Sequence, residues 1–180
     1  MTPDDLTFRD ATPADVDDVV ALVQSAYRGV SSQVGWTTEA HLLEGQRTDA
    51  ASVAAIVADP DAAVLLAEDP GDGSPLGCCE LRRSAAGAYF GMFAVRPQLQ
   101  GRGVGRRLIT HADAEAVRRF GAEALEMTVI GQRTDLIAWY LRLGFAPTGE
   151  RRPFPHGDER FGQPRRDDLE FVVLRRPTAR

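Results

Sequence analysis

Residues 88–95 are apolar on both faces of an extended chain, the pattern of a strand buried inside a sheet. A glycine-rich turn follows, with glycines at 101, 103 and 105. From it runs a helical stripe of Val104, Leu108, Ala112, Ala116 and Phe120, closed by Gly121. Another strand comes next, in which Leu125, Met127 and Val129 alternate with Glu126, Thr128 and Ile130. Thr134 then caps a helix that turns Leu136, Ile137, Tyr140 and Leu141 inward and stops at Gly144. A buried strand feeding a glycine turn and a helix, with strand and helix repeated behind it, restricts the chain to α/β architectures.

The remaining elements fit around this unit. Residues 6–9 read as a short strand, and Thr12 and Pro13 open a helix with Val16, Val19, Val20, Val23, Ala26 and Tyr27 on one face. Residues 29–39 form a polar loop with a lone Trp36, and Thr48 or Asp49 caps a second short helix. Strands follow at 63–67 and 76–82, joined by a Pro, Gly and Asp hairpin loop. Residues 151–168 are rich in Pro, Gly and charge and read as a flap or partly ordered loop before a last strand at 171–174. The expectation is one α/β domain over residues 1–180, in the order β-α-α-β-β-β-α-β-α-β, with one mixed, mostly antiparallel central sheet flanked by helices.

Composition removes several functions. The length of 180 residues suits one domain. The net charge of −5 argues against general nucleic-acid binding, which needs a positive face. All 21 basic residues are Arg, so no catalytic Lys or Schiff base exists. Cys78 and Cys79 are adjacent and point to opposite sheet faces, so they read as reduced, buried thiols. An acidic, polar opening and no long apolar run leave no signal-peptide or membrane-span pattern. A cytoplasmic setting is therefore expected. His41, His111 and His156 lie apart without metal-ligand spacing, so no metal is expected, and His111 reads as surface.

The turn is the candidate for chemistry. A helix start presents free backbone N–H groups and the positive end of its dipole. Glycines let a phosphate approach the backbone, and Arg102 and Arg106 add charge. These features describe a pyrophosphate site, or a plain glycine turn before a helix. The spacing is neither that of a P-loop nor G-x-G-x-x-G. Gln100-x-x-Gly103-x-Gly105 resembles the acetyl-CoA signature of the GNAT superfamily of N-acetyltransferases. Ala94, Val95 and Pro97 stand before it at the family's distance, and residues 138–145, with Tyr140, Gly144 and Phe145, resemble the family's A-x-Y-x-x-x-G-F element.

The resemblance covers residues 6–150 and implies an acetyl-CoA-dependent N-acetyltransferase acting by direct attack in a ternary complex. It implies that Phe93, Ala94 and Val95 meet the pantetheine arm, with the Phe93 amide facing the thioester carbonyl. It implies that Gln100, Gly101, Arg102, Gly103, Val104, Gly105 and Arg106 cradle the pyrophosphate. Tyr140 matches the tyrosine that protonates the departing thiolate, although an inward Tyr also serves as core. Arg133 stands where the family often has an Asn that touches the pantetheine; Arg133 reads either as a cofactor contact or as surface. Glu80 and Glu126 are candidate routes for the amine's proton, or ordinary strand carboxylates.

Two loops are candidates for the acceptor site. Trp36, Phe154 and Phe161 offer apolar walls, and Glu39 a carboxylate for an ammonium group; Asp158 and Glu159 offer further acids. Each also reads as loop packing or solvated surface. The acidic balance favours a small cationic amine through steering, with a protein N-terminus or Lys as the second choice. A non-catalytic acyl-CoA-binding or sensing protein is the rival from another class. An exposed edge strand in the tail makes a homodimer possible.

Overall fold

The computed structural model describes residues 6–158 and 162–179; Glu159 and Phe161, considered above, lie outside the described residues. In chain order the elements are β1 (Thr7–Asp10), α1 (Val16–Tyr27), α2 (Gly29–Ser32), β2 (Leu43–Glu44), α3 (Ala50–Ala58), β3 (Ala62–Glu68), β4 (Pro75–Ser84) and β5 (Gly87–Val95). They continue with α4 (Val104–Phe120), β6 (Ala124–Ile130), α5 (Thr134–Arg142), β7 (Ala146–Pro153), β8 (Gln163–Pro164) and β9 (Glu170–Pro177). Seven strands form one sheet in the order β1-β3-β4-β5-β6-β9-β7, and β2 and β8 pair separately. Among the described residues only β5 and β6 run parallel; the other pairs are antiparallel. The expected mixed α/β domain is what the chain adopts.

The sheet carries a core on each face because β3 and β5 are almost wholly apolar and turn apolar side chains both ways. One core sets Leu65, Leu81, Phe90 and Leu125 against Leu108, Ala112 and Ala116 of α4 and Leu136 and Tyr140 of α5. The other packs Val64, Leu66, Cys78, Met92 and Ala94 against α1 and α3. Burying one such Leu contributes roughly 1.5–3 kcal/mol. Asp49 caps α3, its Oδ1 accepting from the Ser52 amide at 2.7 Å. Arg118 and Arg119 lie in the last turn of α4, where the dipole favours cations.

Several features differ from the sequence reading, among them a short helix, α2, within the expected polar loop at 29–39 and an N-cap at Arg133, not Thr134, for α5. The segment after Gly144 does not go straight to a flap, for residues 146–153 pair with β9 as an edge strand. Most of its residues are exposed, and its polar residues do not alternate with apolar ones, so it shows no strand pattern to read. The expected flap is tied down by β8, whose Gln163 and Pro164 pair with Glu44 and Leu43. His111 is half-buried and stacked on Phe8 at 4.6 Å, and that burial pushes its pKa down. Among the described residues no helix is long and apolar enough to cross a membrane.

Candidate active site

The site lies where β5 and β6 separate. These parallel neighbours pair only at Ala88 with Leu125 and Tyr89 with Glu126. Beyond that point β5 is bulged: Cys78 pairs with Ala94 and Glu80 with Gly91, so Met92 and Phe93 stand opposite one residue. Met92 has a φ of 43°, the only positive value among described non-glycine residues. A bulge removes a residue from the ladder and bends its strand. Strain of this kind costs about 1–3 kcal/mol and collects at functional sites. The Tyr27 hydroxyl donates to the Phe93 carbonyl and so fixes the bulge from the other side.

On one side of the gap is a groove. Its lining includes Phe93, Val95, Gln100, Gly101, Gly103, Gly105 and Arg106, with Trp36, Thr37, Trp139 and Arg142. Gly103 is the N-cap of α4 at φ 90°, which an L side chain rarely adopts. A Cβ on Gly105 would stand 3.0 Å from Phe93 Cζ and 3.6 Å from Trp139 Cη2. Glycine there keeps the floor open, and the first amides of α4 lack helical acceptors. Arg106 on α4 and Arg142 on α5 bring positive charge to both walls. Backbone donors, open glycines and two guanidinium groups suit a pyrophosphate.

On the other side is a cavity of about 210 Å³, sharing Tyr27, Phe93 and Leu136 with the groove. Tyr140, Glu80, Tyr89, Thr128, Phe154, Glu39 and Arg47 line it. Burial pushes the Tyr140 phenol well above the ordinary tyrosine range, so it keeps its proton. Burial also pushes the Tyr27 phenol up to about 12. Glu80 accepts from Arg82 Nε at 2.9 Å. Burial pushes the Cys78 thiol up to about 12 and Cys79 well above its usual value, so neither is an activated nucleophile.

The loop between α2 and β2 is bolted across both spaces. Gln100 Oε1 accepts from the Trp36 amide at 2.9 Å, and its Nε2 donates to Thr37 Oγ1 at 2.7 Å and the Val95 carbonyl at 3.0 Å. Arg133 is 2% exposed and donates to the Thr37 carbonyl at 3.0 Å. Glu39 is buried, with Oε2 accepting from Arg28 Nη1 at 2.7 Å. Arg47 and Arg133 approach the same carboxylate at 3.9 and 3.8 Å.

The structure thus gathers most of the residues read from sequence. Gln100, Gly101, Gly103, Gly105, Arg106, Phe93, Val95 and Trp36 border the groove, and Tyr140, Glu80, Glu39 and Phe154 the cavity. Ala94 and Val104 are buried and Arg102 is exposed, and none of the three lines the groove. Glu126 lies outside both spaces, accepting from Arg152 Nη2 at 3.0 Å. Arg133 stands behind the loop. Tyr27, Arg47, Tyr89, Trp139 and Arg142 were not singled out from sequence. Trp139 adjoins the Tyr140 motif and was within reach; Arg47 has no local signal at all. Among the described residues no group of three or more His, Cys, Asp or Glu could hold a metal.

A bulged, splayed parallel pair thus leads to a glycine groove at a helix start. Residues 60–147 match the family model described as an acetyltransferase (GNAT) domain. No curated protein matches the sequence. Among solved structures, the ribosomal-protein-S18-alanine N-acetyltransferase from Escherichia coli superposes with a TM-score of 0.65 at 18% identity, over 97% of this chain and 95% of that one. The spermidine/spermine N-acetyltransferase SpeG from Vibrio cholerae gives 0.65 at 14% identity, over 98% and 94%. The yncA structure from Salmonella typhimurium with its cofactor acetyl-CoA gives 0.66 at 21%, over 97% and 95%. At these identities the likeness is one of fold.

Proposed function

We propose that the protein is an N-acetyltransferase that moves the acetyl group of acetyl-CoA to the primary amine of a small molecule in a ternary complex. The observation that carries this reading is the gap at the Met92 bulge, which joins a phosphate-suited groove to a separate cavity lined by Tyr140. Gly101, Gly103, Gly105, Arg106 and the first turn of α4 hold the pyrophosphate, and the backbone of residues 93–95 holds the pantetheine arm. Trp139 and Phe93, with rings 6.1 Å apart, form its apolar wall.

An amine arrives as an ammonium ion, a cation at its reacting end. It loses one proton toward Glu80, and the free amine attacks the thioester carbonyl. The new C–N bond places negative charge on the carbonyl oxygen, and the Phe93 amide stabilises it; such a donor is worth about 3–4 kcal/mol. The C–S bond breaks, Tyr140 donates its proton to the departing sulfur, and the nitrogen loses its second proton. Solvent restores Tyr140, leaving amide, free CoA and one released proton. Burial keeps Tyr140 protonated, which suits a donor and not a base. With both thiols buried and their pKa values raised, an acetyl-cysteine intermediate gains no support. The test is thiol release from acetyl-CoA across an amine panel, with mass spectrometry of the products. Amine-dependent release of stoichiometric CoA and N-acetyl product is expected. Binding of acetyl-CoA with no release would support the sensing alternative.

A further inference from the structure

Three charged side chains line the acceptor cavity, and two are already matched. Glu39 accepts from Arg28 at 2.7 Å with both side chains buried, and Glu80 accepts from Arg82 at 2.9 Å. The third is Arg47. Among the described residues its guanidinium makes no hydrogen bond. Its nearest carboxylate oxygen, Glu39 Oε2, is 3.9 Å away and already taken by Arg28. Three guanidinium groups, from Arg28, Arg47 and Arg133, surround that one carboxylate. Asp135 accompanies Arg133 at 3.4 Å, while Arg47 keeps only its long ion pair with Glu39 and has hydrogen-bonding capacity left over.

Arg47 is also held in place. Its amide donates to Gln24 Oε1 at 2.7 Å, and its guanidinium lies over the Tyr27 ring, 5.4 Å from the centroid. Its side chain is 29% exposed, so the fork remains reachable. A planar guanidinium fork matches a carboxylate in two parallel hydrogen bonds. An acceptor with a second ammonium group would bring like charge to it inside a partly desolvated space.

We infer that the acceptor is an amino-acid-like molecule, its amine directed toward Glu80 and Tyr140 and its carboxylate, or a kindred oxyanion, held by Arg47. This rests on the transferase reading above. The whole-chain charge favours cations at long range; the Arg47 fork, which makes no hydrogen bond among the described residues, selects an acid at contact.

The test uses the twenty amino acids as free acids, the same compounds as carboxamides, and spermidine. The expected result is a preferred free acid whose KM is about 10- to 100-fold below that of its amide, the scale of a charged hydrogen-bonded pair. Arg47→Gln should erase that preference by raising the acid's KM while leaving acetyl-CoA affinity unchanged. Arg47→Lys should restore part of it, since charge returns without the fork. Preference for amides or spermidine in the wild type overturns the inference, as does an acid preference that survives Arg47→Gln. If acetyl-CoA binds and no amine is acetylated, the transferase reading fails. The cavity is then tested by calorimetry with the free acids and amides. Arg47-dependent binding of an acid supports the anion site, and its absence overturns it.

Discussion

On the groove side of the gap between β5 and β6 the chain offers mainly backbone: glycines at 101, 103 and 105, the first turn of α4 and the strand end at Val95. On the cavity side it offers side chains from distant places: Arg28 after α1, Glu39 and Arg47 in the loop before α3, Glu80 in β4 and Tyr140 in α5. A backbone site tolerates change in most neighbouring side chains. A side-chain site is redefined by one substitution. The halves are joined at few points, and Gln100 and Arg133 are the principal clamps.

Substitutions should therefore separate the halves. Arg133→Ala removes a buried cation from the Glu39 cluster and two donors from the loop carbonyls. It should cost about 3 kcal/mol and lower Tm by roughly 6–12 °C. Acetyl-CoA affinity should survive, because this side chain does not line the groove; thermal melts and calorimetry check both parts. An unchanged Tm would show that the loop stands without its clamp.

Tyr140→Phe should lower kcat about 100-fold, close to 2.7 kcal/mol, with acetyl-CoA Kd unaltered. A smaller variant effect than tenfold would return Tyr140 to a packing role. Gln100→Ala touches both halves, since it frees the Trp36 and Thr37 amides and the Val95 carbonyl. A loss of about 1–2 kcal/mol is expected, seen as several-fold increases in KM for both substrates. If only one KM moves, the clamp serves one side.

The smallest effect concerns pH. The buried Tyr140 phenol has its pKa raised well above the usual value, so its proton is lost only beyond the ordinary tyrosine range. The kcat profile should show no descending limb near pH 10, where an exposed tyrosine would titrate. A limb there that vanishes in Tyr140→Phe would contradict the burial.

The same contrast explains what the sequence disclosed. The strand, glycine turn and helix from 88 to 121 are local, so their pattern is legible as an α/β unit with a glycine turn at a helix start. Residues 146–153 did not declare themselves as a strand, because they are mostly exposed and owe their extension to pairing with β9. Glu126 shares the alternation of Thr128, yet Arg152 on the missed β7 claims its carboxylate. Arg133 stands at the expected place in the motif, and only the folded loop shows that it grips Thr37. Arg47 has no neighbours in sequence that mark it; its importance comes from Glu39 being satisfied by Arg28.

The most direct measurement is calorimetric titration of acetyl-CoA into the wild-type protein and into Gly105→Val, with melts to confirm that both fold. A valine there would press on Phe93 and Trp139 and close the groove floor. The account predicts binding in roughly the micromolar range for the wild type and its loss in the variant. No binding to the wild type, or equal binding by both proteins, would contradict the assignment of the groove to acetyl-CoA.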